Sequence, residues 1–230
     1  MIPIYLNARN LLTPLRAMVE RLLGTLAAGP IVIVDNASTY PPLLEWYAAM
    51  AKDQVRVVRL GENRGELAPF GPEVARFGTP YFAVSDPDLD LSSVPDDFLE
   101  RLVAGLQRYP NRVKAGLSLR IDDLPDDGPF TGEVRRHEAR FWQRPLDEHF
   151  YDANIGLTFA VYRGPNRRGR FRYGPALRAA PPYTARHLPW YLTPETLDDE
   201  WRYCFEHACC ASACWSNKMR RLLEKRRDER

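Results

Sequence analysis

The sequence predicts an α/β fold with a mostly parallel central sheet flanked by helices. Short apolar runs, "IPIYL", "IVIVD", "VRVVRL" and "YFAVS", alternate with segments of helical periodicity. Most of these runs are apolar at consecutive rather than alternate positions, as strands buried on both faces must be. Each run also ends in polar residues, at the strand end where sheets of this kind bind ligands.

Residues 2–6 form the first strand, closed by Asn7, Ala8, Arg9 and Asn10. Thr13 and Pro14 read as a helix cap and first-turn proline. Leu15, Met18, Val19, Leu22, Leu23 and Leu26 follow at helical spacing, and Gly29-Pro30 ends that helix. "IVIVDNAS" is the second strand, "PPLLEWYAAMAK" the second helix and "VRVVRL" the third strand, turning at "GENRG". A short helix over residues 72–77 leads to the fourth strand, "YFAVSD". Residues 93–96 read as a cap for an amphipathic helix, Phe98–Arg108.

The second part of the chain is less regular. "VKAGLSLRI" and "NIGLTFAVYRG" read as strands, but residues 122–150 lose periodicity and read as loop. A Gly/Arg-rich loop, "PNRRGRFRYGPALR", and an irregular segment, "ARHLPWYLTP", precede the cysteine-bearing residues 204–214, which look helical. A basic stretch, "KMRRLLEKRRDER", ends the chain, and no internal repeat is visible. A ligand-binding half over residues 1–110 and a second half over 111–230, within one domain, is the expected organisation.

Composition narrows the function. With 230 residues, 45% hydrophobic and 27% charged, the chain can bury a substantial core. A net charge of +2 is no argument for nucleic acid. No apolar run reaches the roughly 20 residues that span a bilayer. "MIPIYLNARNLL" reads as a first strand rather than a leader. A cytoplasmic location is expected, with at most weak peripheral contact with the inner membrane face through the basic C-terminus. All four cysteines lie within residues 204–214, without a C-x-x-C pair. His207, Cys210 and Cys214 would share one helical face, as a soft-metal site requires. Burial of the cysteines as small hydrophobes is the expectation, because one helix closes a tetrahedral site poorly.

The chemistry is concentrated in "YFAVSDPDLDLSSVP". Asp86, Asp88 and Asp90 alternate at the end of a buried strand, where like charges repel unless a cation or hydrogen-bond donors offset them. Mn²⁺ or Mg²⁺ suits one or two such carboxylates, with water and phosphate completing the shell. At the second strand end, Asp35 and Asn36 offer a carboxylate and an amide suited to the edge of a nucleobase. Asn63 and Gly65 form a turn that lets backbone approach a ligand closely. Neither G-x-G-x-x-G nor G-x-x-x-x-G-K-[ST] is present, which disfavours dinucleotide and P-loop sites.

In that order, "IPIYLNARN", "IVIVDNAST", "LGENRG" and "SDPDLD" resemble the nucleotide-sugar-binding half of GT-A-fold glycosyltransferases, in particular the family-2-like group. The resemblance implies a donor nucleotide across the strand ends: Asn7, Arg9 and Asp35 border the base, Asp86 the ribose and Asp88 the metal, and Ala8, Asn36, Asn63 and Gly65 complete the expected donor-binding set. It implies a metal-dependent, inverting transfer of a sugar from a UDP-, GDP- or dTDP-linked donor to a glycan, lipid-linked or small-molecule hydroxyl. "NIGLTFAVYRG" and "ARHLPWY" resemble the acceptor-side strand and C-terminal loop, so His187 is expected to ligate the metal or touch the diphosphate. The resemblance also implies an acidic residue where Gly156 stands. The base is therefore sought at Asp152 or at the acidic pair Asp198-Asp199.

Two other readings are open to the sequence. A nucleotidyltransferase also uses an α/β fold and carboxylate-held Mg²⁺, but its Gly-rich, lysine-bearing N-terminal signature is missing from "LNARNLLTPLR". A non-catalytic nucleic-acid-binding domain would use the arginine-rich loop 163–173, with Arg163, Arg167, Arg168, Arg170 and Arg172 around Phe171 and Tyr173. That reading leaves Asp35, Asn63, Asp86 and Asp88 without a role, so no nucleic-acid partner is expected.

Overall fold

The structure is a computed structural model and describes residues 1–50, 55–72, 74, 78–156, 158–164, 174–208 and 215–228. The apolar runs become β1 (Ile2–Ala8), β2 (Ala28–Asp35), β3 (Val55–Arg59) and β4 (Tyr81–Ser85), parallel and ordered β3-β2-β1-β4. Their side chains alternate between two cores, which explains the unbroken apolar runs. Ile4, Leu6, Ile31 and Ile33 join one core, and Tyr5, Val32 and Val34 join the other. Three helices, α1 (Thr13–Leu23), α2 (Pro41–Ala49) and α3 (Phe98–Arg108), cover the first face through Leu15, Met18, Leu43, Leu102 and Leu106. A buried leucine of this kind contributes roughly 1.5–3 kcal/mol. A 3-10 turn, Gly65–Phe70, puts Ala68 into the second core.

The second half of the chain continues the same sheet. β9 (Ala160–Arg163) runs antiparallel between β4 and β6 (Lys114–Gly116). β10 (Ala176–Ala179) pairs parallel with β6, and β8 (Phe150–Asp152) pairs antiparallel with β10 at the outer edge. The eight strands thus run in the order β3-β2-β1-β4-β9-β6-β10-β8. A three-stranded sheet joins β5 (Leu89–Asp90), β11 (Thr184–His187) and β7 (Ser118–Leu119). The remaining helices are α4 (Thr131–Ala139), α5 (Asp199–Glu206) and α6 (Trp215–Asp228).

Several local expectations need correction. Thr13 does not cap α1. The backbone N–H groups of Leu12 and Thr13 donate to Glu200 Oε1 at 2.5 and 2.8 Å, and the Thr13 hydroxyl donates to Oε2 at 2.8 Å. A carboxylate from α5 thus meets the positive end of α1, where negative charge is favoured. That helix ends at Gly24, while Gly29 and Pro30 lie inside β2. A Cβ on Gly29 would stand 2.9 Å from the Ile2 carbonyl carbon, so the close approach of β1 requires glycine there. The α3 helix is preceded by Asp97 at its N-cap, without a side-chain cap bond. "VKAGLSLRI" divides at Leu117 between the two sheets, and among the described residues of "NIGLTFAVYRG" only Ala160–Arg163 is strand. The stretch read as loop contains α4 and β8. The cysteine-bearing helix ends at Glu206. Cys209, Cys210 and Cys214, most of residues 72–77, and Arg167, Arg168, Arg170, Phe171, Arg172 and Tyr173 lie outside the described residues.

Candidate active site

The four polar strand ends bond to one another. Asn7, near the end of β1, donates its amide to Asp86 Oδ1 at 3.1 Å and to the Gly65 carbonyl at 3.5 Å. Asn36 donates to the same carbonyl at 2.9 Å and accepts from the Arg64 backbone N–H at 2.7 Å. Gly65 has a φ of +62°, a left-handed turn that glycine adopts without strain, and its N–H donates to Asn63 Oδ1 at 2.9 Å. Arg9 donates to the carbonyls of Asn36 and Ala37 at 2.6 and 2.8 Å. Ala8 is buried, and its carbonyl accepts from the Asn36 N–H. The parallel register that aligns Ala8 with Asp35 and Leu6 with Ser85 is what brings these ends level.

Asp35 sits deeper than its neighbours. Its fully buried carboxylate accepts from the Ser38 N–H at 3.3 Å, Arg59 Nε at 3.3 Å and the Tyr47 hydroxyl at 3.5 Å. Burial, reinforced by Asp35, pushes the Tyr47 phenol above its ordinary range. Asp35 therefore braces the loop that carries Asn36.

The three alternating aspartates have separate surroundings. Asp86 is raised well above the usual carboxylate range, first by burial and then by Asp88, with the Asn7 hydrogen bond opposing. Asp88 Oδ2 lies 3.3 Å from His187 Nε2, and its backbone carbonyl accepts from the Leu188 N–H at 2.9 Å. Asp90 faces away, accepting from the Ser92 N–H at 2.8 Å and lying 3.7 Å from Arg186. The β5–β11 pairing sets Leu89 opposite His187, so the small sheet is what carries His187 to Asp88. His187 packs edge-to-face on Trp190 at 4.7 Å. Asp88 Oδ1 and His187 Nδ1 are buried and have no hydrogen-bond partner among the described residues.

Beside His187 opens a cavity of about 300 Å³, whose lining includes His137, Glu138, Gly156, Arg178, Trp190 and Trp215. A Cβ at Gly156 would meet nothing within 4 Å, so the position has room for a side chain. Glu138 and Arg178 form a buried pair at 2.6 Å, with side chains 3% and 4% exposed. Arg178 also donates to the Asn154 carbonyl at 2.8 Å and stands 4.0 Å from the Phe141 ring centre.

Neither Asp152 nor the acidic pair Asp198-Asp199, where the base is expected, is among the residues lining this cavity. Asp152 lies on β8, four strands from β4 or roughly 19 Å at the usual spacing, and is held by Arg112 at 2.6 Å and Arg144 at 3.0 Å. Asp199 is exposed on the first turn of α5, without a hydrogen bond or ion pair among the described residues. Its neighbour Asp198 is the helix cap, accepting from the Trp201 N–H at 2.8 Å. Burial pushes the Cys204 thiol up to about 12, and Asp88 and Glu200 add to the effect. His207 instead stacks on Tyr203 at 4.0 Å, and no group of three or more potential metal ligands occurs among the described residues.

The architecture matches solved structures. A mannosyltransferase from Pyrobaculum calidifontis, in complex with GDP-Man and Mn²⁺, aligns over 89% of this chain and 59% of its own at 14% identity, with a TM-score of 0.54. Residues 1–349 of S. aureus TarS align over 99% of this chain and 73% of that one, at 12% identity and a TM-score of 0.51. The fold is GT-A. No family model and no curated protein matches the chain. The chain spans 59% of the length of the mannosyltransferase, so it is the GT-A frame that the two share. Within that frame, Asn7, Asn36, Gly65 and Asp86, which the sequence motifs single out, share one hydrogen-bond network and Asp88 meets His187, whereas Glu138 and Arg178 had no motif to announce them. The only sequence sign of their pairing is a charged residue at the inward position of a polar helix.

Proposed function

We propose that the protein is a metal-dependent glycosyltransferase that moves a sugar from a nucleoside diphosphate donor to an acceptor hydroxyl, with inversion. The observation that carries this reading is the meeting of Asp88 and His187 at 3.3 Å beside four linked polar strand ends. Two adjacent ligands of an octahedral ion with bonds near 2.1 Å stand about 3 Å apart, so the pair fits Mn²⁺ or Mg²⁺. Their unpartnered buried atoms fit a polar occupant equally well. When bound, the ion neutralises charge on the departing diphosphate, worth several kcal/mol in such transfers.

The chain's own residues then have assignable roles. Asn7 and Asn36 hold the β1 and β2 ends against the Gly65 turn, keeping the donor groove open. Arg9 lies over the Asn36–Ala37 carbonyls, toward the base. In this reading Asp86 accepts from ribose hydroxyls, an interaction that favours its charged form and offsets the cost imposed by burial and by Asp88. The cavity beside His187 takes the acceptor. The basic face of α6 gives weak contact with anionic lipid, which suits a lipid-linked acceptor. No helix among the described residues is long and apolar enough to cross a membrane.

The test is thermal stability with UDP, GDP, dTDP or CDP, each with and without Mn²⁺. A nucleotide at 100-fold over its Kd stabilises by about 2.7 kcal/mol. One of the four is expected to give a shift that requires Mn²⁺, and Asp88→Asn to abolish that metal-dependent shift without unfolding the protein. No metal-dependent shift with any nucleotide refutes the reading.

A further inference from the structure

An inverting transfer needs a group that takes the acceptor's proton as its oxygen attacks the anomeric carbon. The cavity beside His187 offers three proton acceptors among its described lining residues: His137, Glu138 and His187. Glu138 is buried and engaged by Arg178, and His187 faces Asp88. His137 differs from both. Its side chain is 44% exposed while lining the cavity, and Arg140 Nη2 lies 3.2 Å from Nε2 and 3.3 Å from Nδ1. A guanidinium nitrogen almost equidistant from both ring nitrogens lines up with neither lone pair, so its effect on the ring is chiefly that of its charge.

We infer that His137, on the last turn of α4, is the general base that deprotonates the acceptor hydroxyl, with the buried Glu138–Arg178 pair as its positioning support. The inference rests on the glycosyl-transfer reading above. Glu138 Oε1 stands 3.8 Å from His137 Nε2, close enough to stabilise an imidazolium electrostatically. The C-terminal end of a helix favours a positive charge as well. Phe141 and Trp215 hold the ring edge-to-face, with centroids at 5.6 and 6.3 Å.

The charged groups facing His137 are Arg140 from its own turn, Arg178 from β10, Lys218 from α6 and Glu138. Burial and then Arg140 lower its pKa from the ordinary value of 6.5; Arg178 and Lys218 act in the same sense, and Glu138 opposes. The imidazole is therefore neutral, and able to accept a proton, at pH 7. In the transfer, the acceptor O–H bond breaks and its proton passes to a ring nitrogen of His137. The freed oxygen pair forms the new bond to the anomeric carbon. The bond from that carbon to the diphosphate oxygen breaks, its electrons leaving with the nucleoside diphosphate. The imidazolium then returns its proton to water.

The experiment measures nucleoside diphosphate release from UDP-glucose and GDP-mannose with Mn²⁺, using water and a panel of monosaccharides as acceptors. Wild type, His137→Gln and His137→Ala are compared from pH 5 to 8, with donor Kd and melting temperature measured for each. Both variants are expected to keep the donor Kd and the fold, and to lose kcat by at least about 100-fold, the lower range for general-base catalysis. The fall in wild-type rate on acidification below pH 6.5 should vanish in His137→Gln, and added imidazole should restore turnover in His137→Ala. Unchanged kcat, or a loss confined to acceptor KM, overturns the inference while leaving the glycosyl-transfer reading intact. A wild type that binds no donor, or never releases diphosphate from it, overturns both.

Discussion

At the ends of β1 to β4 the polar side chains bond to one another across neighbouring strands, over a sheet whose two faces are apolar. Around the cavity under α4, one buried ion pair, Glu138–Arg178, connects a short polar helix to β10. The first region owes its shape to ladder hydrogen bonds and strand register, which tolerate changes to any one side chain. The second owes its shape to side chains whose loss leaves an uncompensated charge. The two regions therefore differ in what a single substitution does to them.

The sharpest way to break this comparison is Arg178→Met. Removing one partner of a buried pair typically costs 3–5 kcal/mol, because the other charge is left behind. A loss in that range by urea unfolding is expected, and a cost under about 1 kcal/mol would show that the pair is not what holds α4 to β10. A second test concerns Lys114, which is buried on β6 and donates to the Ile155 carbonyl at 2.6 Å, next to the cavity-lining Gly156. Burial first, then Arg178, lowers its pKa from 10.5 to about 8. Between pH 8 and 10 the unfolded chain then holds more protons than the folded one at this site, so this contribution to stability rises with pH. The expected rise is about 2 kcal/mol relative to Lys114→Met, measured by urea unfolding at each pH; parallel curves for the two proteins would contradict it. The smallest effect belongs to the donor side. Asp86→Asn removes a carboxyl whose charged form both burial and Asp88 disfavour, so the metal-free protein should be slightly more stable at pH 7 by urea unfolding. The same variant should bind nucleotide more weakly, and calorimetry showing full affinity would take Asp86 out of the donor site.

The same contrast explains what the sequence disclosed. Strands β1, β2 and β4 are legible because burial on both faces requires consecutive apolar residues, and the polar punctuation at Asn7, Asp35 and Asp86 marks their ends. α4 was invisible because its buried positions are only Thr131, Val134 and Glu138, which form no apolar stripe. A helix anchored through a carboxylate reads as loop until its arginine is found on a distant strand. Asp35 shows another limit: its place at a strand end was evident, but the closure of Ser38, Tyr47 and Arg59 around it depends on contacts that spacing does not encode. Glu200, hidden beside two more conspicuous aspartates, is the residue that ties α5 to α1.

The antiparallel contact of β5 with β11 means that the Asp88–His187 pair joins residues from different halves of the sequence. A ribosome exposes every donor-side motif well before it reaches His187. A nascent chain stalled after the fourth strand would display the aspartates yet lack their imidazole neighbour, and so should trap manganese poorly. Uptake of the ion would then report that β11 has paired with β5.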